Sequence, residues 1–332
     1  MTTRATITGW GAAVPSGHLT NADLEARVDT SDEWIVERTG IRERRIAAAD
    51  ESTATLAIEA AGNAVKRAGL SPADVDLLVV ATATPEQPIP HTGAFVSDGI
   101  GLHCGSFDLS AGCAGFAYAL VTGAALLTGG GLQHVLVVGA ETLSRITDPA
   151  DRGTCILFGD AAAGVMLSRD DRPDGPGLLA WDLGCDGSAT GLLELRAGGS
   201  RMPTTAATVE AGEHYLRMQG QEVFRRAVRA VVESAQTTLD RAGVDASDVG
   251  WFIPHQANVR IIDAARQRLG IAPERTVVNI ERYGNTSAAS IPLALVEAAD
   301  DGRIQSDDLV LLSGFGAGMT WASALLRWGA SP

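Results

Sequence analysis

The stretch Asp108 to Leu120, D-L-S-A-G-C-A-G-F-A-Y-A-L, places one cysteine between two kinds of sequence. A short apolar run ends at Leu109, three small residues follow, and helix-forming residues begin after Cys113. This pattern predicts that Cys113 lies at a strand-to-helix turn. Because the first N–H groups of a helix lack backbone partners and form the positive end of its dipole, we expect a lowered pKa and a nucleophilic role for this thiol. The alternative is a free cysteine packed as a small apolar side chain, which is our interpretation of the other three cysteines.

The composition predicts a protein with two cores and an acidic surface. The chain has 332 residues, of which 45% are hydrophobic, and single cores rarely grow beyond about 250–300 residues. A net charge of −14 and an isoelectric point near 4.8 argue against nucleic acid as a partner. Four irregularly spaced cysteines favour a reducing compartment and give neither a disulfide framework nor a metal-binding pattern.

Two features of the sequence bear on location. The N-terminus, M-T-T-R-A-T-I-T-G-W, has no basic segment leading into an apolar one, so we expect no signal peptide and a cytoplasmic protein. A charge-free run from Leu109 to Ala140 is long enough to suggest a membrane span. Its content of small residues, with glycines at 123 and 129–131, favours instead a helix buried in a soluble core. We therefore expect no membrane partner.

The sequence repeats itself at an offset of 174 residues. Residues 68–80 read A-G-L-S-P-A-D-V-D-L-L-V-V, and residues 242–254 read A-G-V-D-A-S-D-V-G-W-F-I-P. The same offset aligns 134–138 with 308–312 and 112–115 with 286–289. Three matches in one register indicate a duplicated structural unit.

Each copy of the repeat predicts the same elements. A long amphipathic helix, Ser52 to Ala68 in the first copy and Gly220 to Ala242 in the second, precedes a short apolar strand, a turn, a buried helix and another strand. Helices that alternate with apolar strands predict an α/β fold with mostly parallel sheets, here two sheets that sandwich buried helices. We place the two similar halves at residues 1–172, with the nucleophilic cysteine, and 173–332.

Loops from both halves are expected to meet at one crevice, because ligands of open α/β sheets bind where strands end. His255 directly follows the apolar strand 250–253, and Asn285 lies in the turn Y-G-N-T-S. Together with Cys113 they fit two chemistries. In a papain-like site the asparagine orients the histidine, which activates the thiol; in the other, both side chains donate hydrogen bonds to a substrate carbonyl. Cys113 lies in no papain-like stretch, which favours the second arrangement.

Six stretches, spread in order over nearly the whole chain, carry a family resemblance. They are D-T-S-D-E-W-I-V-E-R-T-G-I-R-E-R-R (29–45), D-L-S-A-G-C-A-G-F-A-Y-A-L (108–120), D-P-A-D-R-G-T-C-I-L-F-G-D (148–160), P-H-Q-A-N-V-R-I-I (254–262), R-Y-G-N-T-S-A-A-S (282–290) and F-G-A-G-M-T-W-A-S-A-L-L (315–326). With them the chain resembles the β-ketoacyl-acyl carrier protein synthase III family, the initiating condensing enzymes of the thiolase superfamily. The thiolase-like fold that this resemblance implies, two similar halves around buried helices, agrees with the internal repeat.

The resemblance implies a decarboxylative Claisen condensation. Cys113 would take an acyl group from acyl-coenzyme A, while backbone N–H groups of Cys113 and Ala317, a position commonly glycine in the family, hold the oxyanion. Malonyl-acyl carrier protein would then lose carbon dioxide, with His255 and Asn285 stabilising the enolate. Attack on the acyl-cysteine would give a 3-oxoacyl product. Coenzyme A thioester enters as a substrate, and no metal or other cofactor is implied.

The resemblance also implies a binding site for coenzyme A. Trp34 and the guanidinium of Arg152 would sandwich the adenine ring, a stacking arrangement suited to arginine. Thr30 and Arg38 would lie beside them. The alternative for Trp34 is a packing role.

A second implied surface would bind the acidic carrier protein. Basic residues face it in the family, and the matching positions here are Arg225, Arg260 and Arg268. The alternative for each arginine is a solvated helix face, since exposed charges mainly affect association rates.

The acyl pocket is implied to lie across a subunit interface. In some relatives a bulky aromatic residue of the partner subunit closes the pocket, and the matching position here is Ile89. This smaller side chain predicts room for more than an acetyl group, with Leu143, Phe158 and Phe315 lining the rest. A pocket shared in this way also implies a homodimer.

Two other functions stay open at this point. A starter-unit condensing enzyme or acyltransferase of a polyketide or secondary-metabolite pathway would use the same residues. A non-enzymatic partner, like the chain-length subunits of aromatic polyketide systems, predicts loss of the cysteine, whereas Cys113 is present. The sequence does not specify the acyl starter.

Overall fold

Two β-sheets with helices on their faces form the frame of the protein, and the computed structural model describes residues 3–172 and 174–329. The strands are β1 (Arg4–Ala13), β2 (Gly17–Thr20), β3 (Glu43–Ile46), β4 (Leu77–Ala81), β5 (Gly105–Leu109), β6 (His134–Thr142), β7 (Asp160–Asp170), β8 (Gly177–Cys185), β9 (Leu193–Glu194), β10 (Arg217–Met218), β11 (Trp251–Pro254), β12 (Leu309–Gly316) and β13 (Thr320–Arg327). The α-helices are α1 (Asn21–Glu25), α2 (Asp32–Thr39), α3 (Thr53–Arg67), α4 (Thr92–Ile100), α5 (Gly115–Gly130), α6 (Arg152–Cys155), α7 (Ala206–Glu210), α8 (Gly220–Ala242), α9 (Val259–Leu269), α10 (Ile280–Tyr283) and α11 (Ser290–Asp300).

The two large sheets have matching strand orders. The first is β1-β7-β6-β4-β5, and the second, read from its equivalent edge, is β8-β13-β12-β11. Thr276 forms an isolated parallel bridge with Phe252 of β11, so this short segment takes the place that β5 has in the first sheet. The first residues of β4 and β11, Leu77 and Trp251, are separated by the repeat offset. The duplication predicted from the sequence is therefore confirmed in the strand order.

The sheets are mixed, which corrects the expectation that they are mostly parallel. β4 runs parallel to β5 and β6, and β11 runs parallel to β12. The other four neighbouring pairs of the two sheets are antiparallel. Only three residues join β12 to β13, and a connection that short returns the chain antiparallel to itself.

The helices form three layers that alternate with the two sheets. α5 and α11 lie between the sheets and contact strands of both, while α3 and α4 cover the outer face of the first sheet and α8 covers that of the second, with α9 packed against it. The segment Gly112–Gly130 is long and apolar enough to cross a membrane, but most of it is buried in this central layer. The long charge-free run is thus core helix and adjoining strand.

Local sequence signals explain several helix ends. The hydroxyl of Ser31 accepts a hydrogen bond from the N–H of Trp34 at 3.2 Å and starts α2, which ends at Gly40 with φ of 81°. Ser52 caps α3 through a reciprocal pair of bonds with Thr55. The amphipathic helices predicted around α3 and α8 are confirmed.

The two halves approach closely where their buried helices begin. Short 3₁₀ turns, Gly112–Ala114 and Ser287–Ala289, lead into α5 and α11. Gly139 of β6 lies so close to the backbone of Ala288 that a Cβ there would overlap its carbonyl oxygen. Glycine therefore lets the second turn rest directly on the first sheet.

The predicted boundary between the halves falls in the connection from β7 to β8. β7 ends at Asp170 and β8 begins at Gly177. Residue 173, the first residue assigned to the second half, lies outside the described residues, as do residues 1–2 and 330–332 at the two ends. The division at 172 and 173 stays a prediction.

Candidate active site

One pocket brings together residues from both halves of the chain. Cys113, His255 and Asn285 all line it, and its volume is about 150 Å³. Phe158 and Phe315 lie in its wall. The sequence prediction that these three polar side chains share a crevice agrees with this arrangement.

Cys113 lies in the turn before α5, as the sequence predicts, but its environment is not the one expected. The side chain is buried, and burial raises the pKa of the Cys113 thiol to about 12; the nearby Glu141 carboxylate acts in the same direction. Hydrogen bonding from the Ser287 hydroxyl lowers the pKa but does not offset burial. The expected lowering of the pKa is therefore wrong, because the loss of hydration on burial is the largest influence on this thiol.

The backbone of the second sheet packs against the turn that carries Cys113. A Cβ on Gly112 would lie 2.7 Å from the nitrogen of Ala317, and one on Gly316 would overlap the nitrogen of Cys113. The nitrogens of Cys113 and Ala317 therefore lie in a tightly packed region beside the thiol. Cys113 lies at the start of a helix, where N–H groups have no intrahelical partner, and Ala317 lies in the turn between β12 and β13. The role of these two N–H groups as oxyanion donors stays a prediction.

His255 is fixed at the end of β11. Its backbone N–H donates to the carbonyl of Ser313 at 2.8 Å, and its Nδ1 lies 2.6 Å from the hydroxyl of Ser290. The imidazole and the Phe315 ring meet edge to face, with 5.4 Å between their centroids. Burial lowers the pKa of His255 to about 3. The imidazole is therefore neutral near pH 7, and when Nδ1 accepts from Ser290, Nε2 carries the proton.

Asn285 is held by its backbone and by its side-chain oxygen. Its N–H donates to the carbonyl of Leu157 at 2.8 Å, and its carbonyl accepts from Gly159 at 3.0 Å. Its Oδ1 accepts from the N–H of Ser287 at 2.9 Å. Since the oxygen is engaged in this way, the carboxamide N–H groups remain as donors for a ligand in the pocket.

A buried carboxylate next to this site, Glu141, was not among the predicted residues. It lies in β6, is fully buried, and accepts hydrogen bonds from Ser287 at 2.9 Å and Thr84 at 2.6 Å. Burial raises its pKa, and these hydrogen bonds act against that rise. Its signal in the sequence is a single acid at the end of an apolar strand, H-V-L-V-V-G-A-E-T.

Two of the residues predicted to bind coenzyme A, Arg38 and Arg152, lie against Trp34 of α2. The guanidinium of Arg152 lies 4.8 Å from the centroid of the Trp34 ring, and that of Arg38 lies 5.5 Å from it. A ring between Trp34 and Arg152 needs two stacking distances of about 3.5 Å, so adenine enters only if Arg152 moves. The hydroxyl of Thr30 is buried and has no hydrogen-bond partner among the described residues.

The predicted acyl-pocket residues separate into three groups. Phe158 and Phe315 line the pocket. Leu143 is buried in the apolar cluster behind Phe158 and does not line the pocket. Ile89 is 85% exposed and lies outside this chain's own pocket. Such exposure of an apolar side chain fits a residue that reaches another subunit.

The predicted carrier-protein residues lie on α8 and α9. Arg260 packs 5.8 Å from the ring centroid of Phe224, which lines the pocket. Arg225 is exposed and forms an ion pair with Glu222. Arg268 is near the far end of α9, about 12 Å along the helix axis from Arg260. Arg268 therefore lies apart from Arg260, and Arg260 is the one of the three that is tied to the pocket.

A duplicated α/β fold with a cysteine, a histidine and an asparagine in one pocket defines a condensing enzyme of the thiolase fold. Models of 3-oxoacyl-[acyl-carrier-protein] synthase III match residues 107–187, and models of its C-terminal region match residues 239–328. The β-ketoacyl-[acyl-carrier-protein] synthase III of Roseiflexus castenholzii is 48% identical over 327 residues, 98% of each chain. The chain belongs to this synthase III family.

Solved structures agree with this assignment. The synthase III of Thermus thermophilus superposes with a TM-score of 0.90 at 47% identity, covering 98% of this chain and all of that one. The priming β-ketosynthase of the R1128 polyketide pathway superposes with a TM-score of 0.91 at 37% identity, covering 99% and 97% of the two chains. The predicted thiolase-like fold is confirmed.

Proposed function

We propose that this chain condenses an acyl-coenzyme A starter with malonyl-acyl carrier protein by a decarboxylative Claisen reaction that initiates fatty acid synthesis. Family membership supports the reaction, which joins the starter to two carbons of malonate and releases carbon dioxide. The observation that carries the assignment of roles is that Cys113, His255 and Asn285 line one pocket.

The first step is transfer of the acyl group to Cys113. The sulfur attacks the thioester carbonyl, the new C–S bond forms, and the bond to the sulfur of coenzyme A breaks. The proton of the Cys113 thiol ends on coenzyme A, which leaves as a thiol. The backbone N–H groups of Cys113 and Ala317 stabilise the tetrahedral oxyanion, because donors fixed beforehand need no rearrangement as charge develops.

The second step is decarboxylation of the malonyl thioester. The bond to the carboxylate carbon breaks, carbon dioxide leaves, and the electron pair enters an enolate. His255 donates from Nε2 and Asn285 from its carboxamide to the enolate oxygen. Each donor is worth roughly 3–4 kcal/mol if it resembles oxyanion-hole donors.

The third step forms the carbon–carbon bond. The nucleophilic carbon of the enolate attacks the carbonyl of the acyl-cysteine, and the C–S bond to Cys113 breaks. The 3-oxoacyl group remains on the carrier protein, and Cys113 regains a proton. These steps call for no metal and no redox cofactor, and coenzyme A takes part only as a substrate.

The binding surfaces complete the proposal. The adenine of coenzyme A stacks between Trp34 and Arg152 after Arg152 moves away from the Trp34 ring, with Thr30 and Arg38 beside it. The carrier protein approaches the pocket over Arg260, and Arg225 and Arg268 add to the attraction at longer range. The protein acts as a cytoplasmic homodimer without a membrane partner.

One alternative has a specific observation in its favour. The similarity to the R1128 priming β-ketosynthase covers nearly the whole chain. A chain that primes a polyketide pathway would use the same three side chains with a different starter or carrier protein. Intact-protein mass spectrometry after incubation with a panel of acyl-coenzyme A thioesters identifies the starter.

Substitution of His255 by Ala tests the division of roles. We expect the variant to lose release of carbon dioxide from a malonyl thioester while Cys113 is still acylated by acyl-coenzyme A, because His255 acts only in the second step. Acylation is read from the mass of the intact protein, and Cys113→Ala provides the control that takes up no acyl group. Equal loss of both steps in His255→Ala contradicts the proposed roles.

A further inference from the structure

Glu141 is a fully buried carboxylate to which the proposed mechanism gives no role. Its Oε2 accepts from the hydroxyl of Thr84 at 2.6 Å, and the N–H of Ala83 lies 3.1 and 3.2 Å from its two oxygens. Its Oε1 accepts from the hydroxyl of Ser287 at 2.9 Å and from the N–H of Ala288 at 3.4 Å. The carboxylate is therefore held by the first half of the chain and binds a turn of the second half.

That turn also fixes Asn285. The N–H of Ser287 donates to Oδ1 of Asn285 at 2.9 Å, so the position of Ser287 decides which way the carboxamide faces. Ser287 has a φ of 48°, in the left-handed region that residues other than glycine rarely adopt. Such a conformation persists only when neighbouring contacts maintain it. The hydrogen bonds from Ser287 and Ala288 to Glu141 are contacts of this kind.

We propose that Glu141 is a positioning residue for Asn285, acting through Ser287. The carboxylate holds the left-handed turn, the turn holds Oδ1 of Asn285, and the carboxamide N–H groups then face the pocket. This inference rests on the proposed function, since it assigns Glu141 to the decarboxylation step that uses Asn285. Cys113 acylation does not depend on the direction of that carboxamide.

Two substitutions break the link at different points. Glu141→Gln replaces the carboxylate by a carboxamide, which has one acceptor oxygen and one donor nitrogen. It therefore cannot accept hydrogen bonds from Thr84 and Ser287 on its two terminal atoms at once. Ser287→Ala removes only the hydroxyl and keeps the N–H that binds Asn285, so it gives a second test if the buried Glu141 variant does not fold. Asp170→Asn is the matched control. Asp170 is a buried carboxylate that binds Arg172. It lies in the neighbouring strand β7, at the end opposite to Ala161, the residue that pairs with Glu141.

The measurements separate decarboxylation from acylation. In both Glu141→Gln and Ser287→Ala, we expect kcat for carbon dioxide release from a malonyl thioester to fall roughly 10- to 100-fold, because small displacements of a catalytic group are this costly. KM for the malonyl thioester stays within about 3-fold of the wild type. Cys113 acylation changes less than carbon dioxide release does, because Ser287 and Glu141 influence the Cys113 thiol but the carboxamide of Asn285 takes no part in acylation. Asp170→Asn leaves all three values unchanged.

The decisive comparison uses an Asn285→Ala background. If Glu141 acts through Asn285, adding Glu141→Gln to Asn285→Ala changes carbon dioxide release by less than about 2-fold, because the group that it positions is already absent. An undiminished effect in that background, or equal losses of acylation and decarboxylation in the single variants, overturns the inference. A wild-type protein that is acylated by no thioester and releases no carbon dioxide overturns the proposed function itself.

Discussion

At Cys113 two physical effects oppose each other. The start of a helix stabilises a thiolate, whereas a buried site destabilises any charge. In the structure burial prevails and raises the pKa of this thiol to about 12. The sequence shows the helix start, because it is local, but the burial depends on strands and turns from both halves of the chain.

Labelling with iodoacetamide tests which effect prevails. Because only the thiolate reacts, we expect alkylation of Cys113 in the folded protein to be slow at pH 7 and to rise about tenfold per pH unit through pH 9 without levelling. The rate is read from the modified peptide by mass spectrometry. A synthetic peptide of residues 108–120 serves as control, and its alkylation rate should be half-maximal near pH 8.5, the ordinary pKa of a thiol. Levelling below pH 8 in the folded protein shows instead that the helix start dominates.

The imidazole of His255 gives a second pH prediction. Burial lowers its pKa to about 3, so the ring stays neutral in the folded protein throughout pH 5–8, and carbon dioxide release should show no acid limb near pH 6.5. The unfolded chain protonates this residue near pH 6.5 and therefore binds more protons than the folded chain between about pH 3 and 6.5, so stability falls as pH drops through that window. The loss in free energy of unfolding between pH 7.5 and pH 5, measured with urea, should be about 2 kcal/mol smaller in His255→Asn than in the wild type. An acid limb between pH 6 and 7 in carbon dioxide release by the wild type contradicts the prediction.

Among the secondary-structure elements, the repeat made the helices and most strands predictable. Ser52 and Ala68 were expected at the ends of a helix and lie at the two caps of α3. Strand direction was not predictable in the same way, since an apolar strand looks alike in a parallel and an antiparallel pair. Only the three-residue connection before β13 requires an antiparallel return, and the surrounding glycine-rich sequence does not mark it as a hairpin.

The end of β12 yields a prediction at the same scale. A Cβ on Gly316 would overlap the backbone nitrogen of Cys113, so Gly316→Ala must displace the turn that carries the thiol. We expect acylation by acyl-coenzyme A to fall about 100-fold and stability to fall by about 1–3 kcal/mol, as for other overpacked sites. Intact-protein mass spectrometry and urea unfolding measure the two effects. Gly187→Ala is the matched control, because a Cβ there meets nothing within 4 Å; similar acylation rates in the two variants contradict the prediction.

On the scale of the whole molecule, the repeat explains why the site could be predicted in outline. It matches Cys113 to Ser287, puts His255 at the end of β11 and puts Asn285 in the turn just before Ser287, so convergence follows from the duplication. Features that depend on contacts between distant segments could not be predicted from the repeat. Glu141 becomes part of the site only because Ser287 packs against β6, and the direct stack of Arg152 on Trp34 depends on how α6 meets α2.

The side chain of Ile89 bears on the proposed homodimer, whose mass is about twice the 34.4 kDa of one chain. Because its side chain is 85% exposed and outside its own pocket, Ile89→Phe should disfavour longer or branched acyl groups relative to acetyl by roughly tenfold or more, through the pocket of the other subunit. Mixed dimers of differently tagged Cys113→Ala and Ile89→Phe subunits test this. Their one reactive cysteine lies in the Ile89→Phe subunit and faces the partner's Ile89, so the acyl groups found on it by mass spectrometry should match those of the wild type. The Ile89→Phe homodimer is the control with narrowed selectivity. If the mixed dimer shows that same narrowing, Ile89 acts within its own chain and the shared pocket is wrong.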